Sequence, residues 1–103
     1  MADLDMVVKA IKETLEPKKI ILFGSRARGD NNNESDLDLA VLQTDTPKNG
    51  QKAIVYRKLW SMGYDWKTEP DIHIFSEESF NDRLKNNSFF IREIAKGITI
   101  YAV

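Results

Sequence analysis

The stretch Ile20–Val41, IILFGSRARGDNNNESDLDLAV, constrains this chain more than any other. It opens on an apolar run, breaks at Gly24-Ser25, crosses a polar segment and returns to apolar alternation carrying Asp36 and Asp38. Successive strand side chains point to opposite faces, which puts Asp36 and Asp38 on one face and Leu37, Leu39 and Val41 on the other. At ~3.3 Å per residue the two carboxylates would stand about 7 Å apart. Such a pair can converge on one hard cation, and without a compensating positive charge it repels itself.

The same stretch offers an anion site. A glycine just past a buried strand lets the backbone turn tightly against a ligand, and Ser25 is expected to cap a short helix over Arg26-Ala27-Arg28. Helix N-termini present N–H groups and partial positive charge, which suit phosphate. Gly29 should end that turn, leaving Asp30–Ser35 as a polar loop between two antiparallel strands.

Composition sets outer bounds. The 103 residues suffice for one core and are read as one domain over residues 1–103. A hydrophobic share of 42% with 30% charged residues excludes a disordered chain. The net charge of −1 supplies no global field for nucleic acid. The absence of cysteine excludes disulfides and thiolate metal sites. No apolar run approaches the ~20 residues of a membrane span. Met1–Met6 carries two aspartates where a signal peptide would carry lysines, so the expected location is the cytoplasm.

Around the central stretch the elements follow from periodicity. Leu4, Val7, Val8, Ile11 and Leu15 predict a core-facing helix over Asp3–Glu16, with Asp3 as N-cap and Pro17 as stop. Lys18-Lys19 reads as a solvated turn before the strand Ile20–Phe23, rather than as a phosphate contact. The second strand is expected over Asp36–Leu42, then a loop to Gly50 and a helix over Gln51–Met62 ended by Gly63. Trp60 on that helix belongs to the core or a partner surface, with stacking on a base as the alternative. Tyr64–Glu69 reads as a charged loop. Pro70–Phe75 predicts a third strand with Ile72 and Ile74 on one face, Asp71 and His73 on the other. As a lone histidine, His73 reads as structural, with a place in a substrate or metal shell as the alternative. Ser76 should cap a helix to Lys85 and Ser88 a second one closed by Gly97, before an edge strand over Ile98–Val103.

Neither Gly-Ser nor Asp-x-Asp is specific alone. In this chain they stand ten residues apart, Gly24-Ser25 to Asp36-x-Asp38, with a strand on either side. In that arrangement the sequence resembles the minimal nucleotidyltransferases (MNT), a branch of the DNA polymerase β-like nucleotidyltransferase superfamily, and the likeness covers nearly the whole chain. It implies an α/β (α+β) fold, with a small mixed or antiparallel sheet packed with helices. It also implies a third carboxylate at the start of the third strand, which falls on Asp71. His73 departs from the apolar or neutral residue expected two positions later.

The resemblance implies nucleotidyl transfer from ATP. Asp36, Asp38 and Asp71 would hold one or two Mg²⁺ ions, Gly24 and Ser25 would grip the β- and γ-phosphates, and Arg26 or Arg28 would neutralise the pyrophosphate. Small stand-alone members, the MntA-like antitoxins, commonly sit beside a HEPN-domain RNase toxin and move AMP to one of its tyrosines. A protein adenylyltransferase acting on such a partner is therefore the leading expectation. A non-catalytic antitoxin that silences its toxin by binding is the second, although the full carboxylate set weighs against it. Transfer to an antibiotic is the third, and the added helical domain that larger relatives use for the drug is missing here.

Overall fold

The computed structural model describes residues 2–30 and 36–103. Helix α1 (Ala2–Thr14) leads into strand β1 (Lys19–Phe23), the short helix α2 (Ser25–Arg28) and strand β2 (Leu37–Gln43). Helix α3 (Gln51–Ser61), strand β3 (Pro70–Ser76), helices α4 (Glu77–Lys85) and α5 (Phe89–Ala95) and strand β4 (Ile98–Ala102) complete the order. The strands form one mixed sheet in the order β3-β2-β1-β4. β1 lies antiparallel to both β2 and β4, whereas β2 and β3 are parallel. A parallel pair cannot be closed by a hairpin, and α3 serves as its crossover.

The strand alternation read from the sequence divides the core into two layers. Ile20, Leu22, Leu37, Leu39, Val41 and Ile72 pack beneath α1 and α3, against Val7, Ile11, Val55 and Leu59. Ile21, Phe23, Ala40 and Leu42 face the other way, onto Phe80, Ile91 and Ile94 of α4 and α5. Asp38, Asp71 and His73 have the parity of this second face. Its helices cover it at one end and leave the carboxylate end open.

Several expectations shift locally. α1 begins at Ala2, which puts Asp3 in its first turn rather than at its cap, where its charge still suits the helix dipole. Ser25 is the first residue of α2 and not its cap: Gly24 holds that position and no side chain caps the helix. Gly29 ends α2 in the left-handed conformation, as expected. Of the Asp30–Ser35 loop, residues 31–35 lie outside the described residues. β2 starts one residue later than expected and runs to Gln43. Of the Lys18-Lys19 pair, only Lys18 is an exposed residue before the strand; Lys19 is the first residue of β1, half-buried and paired with Leu42 and Ala102, so the turn reading fails there. Ser76 and Ser88 do cap α4 and α5, accepting from the amides of Ser79 at 3.1 Å and Ile91 at 3.4 Å. β4 forms the expected edge by pairing with β1.

The segment after α3 is the expected charged loop, with Asp65, Lys67 and Glu69 exposed. It is also a packed corner, which the sequence did not show: Tyr64 is buried and donates to the Thr68 carbonyl at 2.6 Å. Trp66, at φ 60°, packs edge-on against Tyr64 and Tyr56. Tyr56 donates to the Pro70 carbonyl at 3.1 Å, and the Leu37 amide donates to the Glu69 carbonyl at 2.9 Å. These bonds fix where β3 begins beside β2. Trp60 is 75% exposed on α3, so it is not core, and α3 covers the opposite face from the carboxylates, where a base stacked on it could not reach them. No helix among the described residues is long and apolar enough to cross a membrane.

Candidate active site

Two of the three acids pair across neighbouring strands. In the β1–β2 ladder Asp38 pairs with Phe23, and in the β2–β3 ladder it pairs with Asp71. Neighbouring strands lie about 4.8 Å apart, so this cross-strand pair is tighter than the ~7 Å spacing of Asp36 and Asp38 along one strand. Asp36 stands just before β2 and is exposed. Burial, then the charge of Asp71, then that of Asp36, raise the Asp38 carboxyl above its ordinary 3.8; His73 acts the other way, and a hydrogen bond shared with Asp71 adds to the rise. Carboxylates that disfavour one another's ionisation form a site with an unmet demand for positive charge.

Gly24 makes room for that carboxylate. Its φ of 76° and ψ of −157° fall in a region open essentially to glycine alone. A Cβ built there would collide with the Asp38 carboxylate, so any side chain at position 24 would displace the acid. The turn after β1 and the acid on β2 are therefore shaped around each other. Oxygen-only donors of this kind suit a hard cation such as Mg²⁺. Among the described residues no three Asp, Glu or His side chains form a ready-made metal cluster. Asp71 Oδ2 lies 3.2 Å from Nε2 of His73.

The arginines take separate paths. Arg26 donates from Nη2 to the buried Thr68 hydroxyl at 3.2 Å, tying α2 to the corner that starts β3. Arg28 pairs with Asp30 at 3.1 Å, both largely exposed. An exposed pair contributes little, about 0–1 kcal/mol, and Arg28 can exchange it for a phosphate. Arg28 also borders a cavity of about 300 Å³ between α2 and α5, where Gly24 and Ala27 face Glu93, Lys96 and Gly97.

Sequence reasoning missed the contribution of α5. Its Ile91 and Ile94 enter the core, while Glu93, Lys96 and Gly97 line this cavity and Phe90 lies against Phe23 and His73. Helical spacing did not reveal it: Phe90 and Ile94, four residues apart, share a face, and Lys96 and Gly97 lie past the end of α5.

Comparison with known proteins fits this geometry. The family model described as "Nucleotidyltransferase domain" matches residues 4–99. A Methanocaldococcus jannaschii protein that carries the provisional name protein adenylyltransferase is 38% identical over 79 residues, 74% of this chain and 78% of that protein. A solved toxin–antitoxin structure with AMP-PNP superposes with a TM-score of 0.67 at 22% identity, over 100% of this chain and 75% of that one. A mutant of the toxin–antitoxin pair MntA–HpeT gives 0.66 at 20% identity, over 96% and 73%. The complex of a tri-AMPylated Shewanella oneidensis HEPN toxin with its MNT antitoxin gives 0.57 at 17% identity, over 99% and 71%. These structures share the fold of this chain.

Proposed function

This chain belongs to the nucleotidyltransferase domain family, and from that premise we propose that it is a Mg²⁺-dependent protein adenylyltransferase of the cytoplasm. It moves AMP from ATP to a tyrosine hydroxyl of a HEPN RNase toxin and thereby acts as the antitoxin. The observation that carries the reading is the register pairing of Asp38 with Asp71 beside a glycine that no other residue could replace. The relative named for protein adenylylation and the neighbours solved with AMP-PNP or an AMPylated toxin support the choice of substrate and acceptor.

In this reading Gly24 and Ser25 bind the triphosphate tail through backbone N–H groups and the serine hydroxyl, at a helix end whose first amides have no partner within the helix. Arg28 turns from Asp30 to the pyrophosphate, and Arg26 holds α2 against Thr68 so that the grip stays in register. Asp36, Asp38 and Asp71 would hold the magnesium, whose chemistry when bound is to neutralise charge on the phosphate oxygens. Asp71, on the strand farther from α2, faces the acceptor and takes the phenol proton. The phenol oxygen then bonds to the α-phosphorus as the bond to the bridging oxygen breaks, and pyrophosphate leaves. Holding these groups in line supplies most of the rate.

The test is transfer of α-labelled ATP to a co-expressed HEPN partner, with an aminoglycoside and RNA as parallel acceptors. Label and an added AMP mass are expected on the partner, and both should vanish when Asp36 and Asp38 are changed to alanine. Neutralisation that survives the double change would make the protein a binding-only antitoxin, and label on the antibiotic alone would move the acceptor.

A further inference from the structure

The turn between α4 and α5 puts the Phe90 side chain against His73 and Phe23, beside the carboxylate site. Asn87, at φ 60°, reverses the chain, and Ser88 caps α5. Phe89 and Phe90 are thereby set in the first turn of a helix anchored by the fully buried Ile91. Phe89 is 76% exposed and Phe90 39%. Phe90 is held edge-on by Phe23 at 5.9 Å and by His73 at 5.3 Å, and those two rings are 5.7 Å apart. His73 in turn reaches Asp71 Oδ2. An unbroken path thus leads from a partly open phenyl ring to the carboxylate on β3.

We infer that Phe90 is the docking surface for the ring of the acceptor tyrosine, held with its hydroxyl at Asp71. The inference rests on the proposed transfer reaction and adds a residue that selects its acceptor. Aromatic rings favour contacts at ~4.5–7 Å between centroids, the spacing at which Phe90, Phe23 and His73 already hold one another. A phenol can use such a surface while its oxygen points at the acid, whereas a serine or threonine hydroxyl brings no ring to it. Phe90 touches both Phe23, the residue before Gly24, and His73, which reaches Asp71. The link through His73 to the acid that takes the phenol proton is what points to the acceptor as the occupant, and stacking on the nucleobase is the outcome that the experiment separates from it.

The experiment compares two synthetic peptides, identical except for tyrosine or serine at one position, with α-labelled ATP and Mg²⁺. The enzymes are the wild type, Phe90→Leu and Phe90→Trp. Leucine keeps apolar volume against Phe23 without a ring, and tryptophan restores a ring. The wild type should label the tyrosine peptide in preference to the serine peptide. Phe90→Leu should raise KM for the tyrosine peptide by about 2- to 12-fold, the effect of one aromatic pair, with KM for ATP unchanged, and Phe90→Trp should recover the wild-type value. A rise in KM for ATP instead would mean the ring stacks on the base and would overturn the inference. So would a leucine variant indistinguishable from the wild type, with the transfer reading left standing. A wild type that labels the co-expressed partner but does not prefer the tyrosine peptide would overturn the docking alone, and one that labels neither the partner nor a peptide would overturn the transfer reading with it.

Discussion

Asp38 and Asp71 are register partners in the parallel β2–β3 ladder, two acids side by side on the same face of the sheet. Like charges in neighbouring strands are destabilising, by about 0.2–1 kcal/mol in the related antiparallel case. A chain selected for stability alone would not keep them. Asp38→Asn is therefore expected to raise the thermal midpoint of the magnesium-free protein by up to several degrees, at the ~4–8 °C per kcal/mol typical of domains near this size. The same change should lower transfer by at least about 10²-fold, as the loss of one charge-stabilising group commonly does. Thermal scans and label transfer on one preparation check both halves.

The pH dependence of stability has a definite sign. Asp38 holds its proton above the ordinary 3.8 in the folded chain. From 3.8 up to that higher value the unfolded chain binds fewer protons than the folded one, so unfolding free energy falls as pH rises and then stays level. Below 3.8 the contribution disappears. Urea midpoints of the wild type should drop relative to Asp38→Asn across this window and match it in stronger acid. A difference that grows toward acid would contradict the arrangement.

Gly24→Ala meets two obstacles, a backbone region closed to alanine and a collision with the Asp38 carboxylate. It should cost more than the ~1–3 kcal/mol of backbone strain alone and remove transfer activity. Gly63→Ala is the control: its φ of 79° is also positive, but a Cβ there meets nothing within 4 Å. Denaturation of both variants should rank Gly24→Ala clearly below Gly63→Ala, with activity lost only in the first.

The corner before β3 is predicted to be a stability element. Tyr64→Phe leaves the Thr68 carbonyl without the phenol that now donates to it at 2.6 Å. The expected loss is about 1–3 kcal/mol. Burial, then the charges of Asp3 and Asp65, push the Tyr64 phenol up to about 12. Burial, then the charges of Asp71 and Glu69, also raise Tyr56, so spectroscopic titration of the native protein should show two tyrosines ionising late, and Tyr64→Phe only one.

Removing divalent cations with a chelator should abolish transfer, and restoring Mg²⁺ should recover it. Mg²⁺ with a non-hydrolysable ATP analogue should raise the thermal midpoint of the wild type, by about 2.7 kcal/mol of stabilisation at a hundredfold excess over Kd. The Asp36→Ala, Asp38→Ala double variant should show no such rise.

The sequence by itself determined the strand–turn–strand of Ile20–Val41, the alternation that sorts Ile72 and Ile74 from Asp71 and His73, the caps at Ser76 and Ser88 and the family. All of these are local, fixed by side-chain period, turn chemistry and spacing. It displayed the looser acid pair, Asp36 with Asp38, because two residues on one strand are neighbours in the text. The tighter pair, Asp38 with Asp71, existed only once α3 had crossed over and the Tyr64–Glu69 corner had set the register of β3. The same holds for Gly24 against Asp38 and for Phe90 against His73, contacts between residues distant along the chain. Tertiary structure decided them because which strands adjoin, and in what register, depends on packing summed over the whole core and on no segment alone.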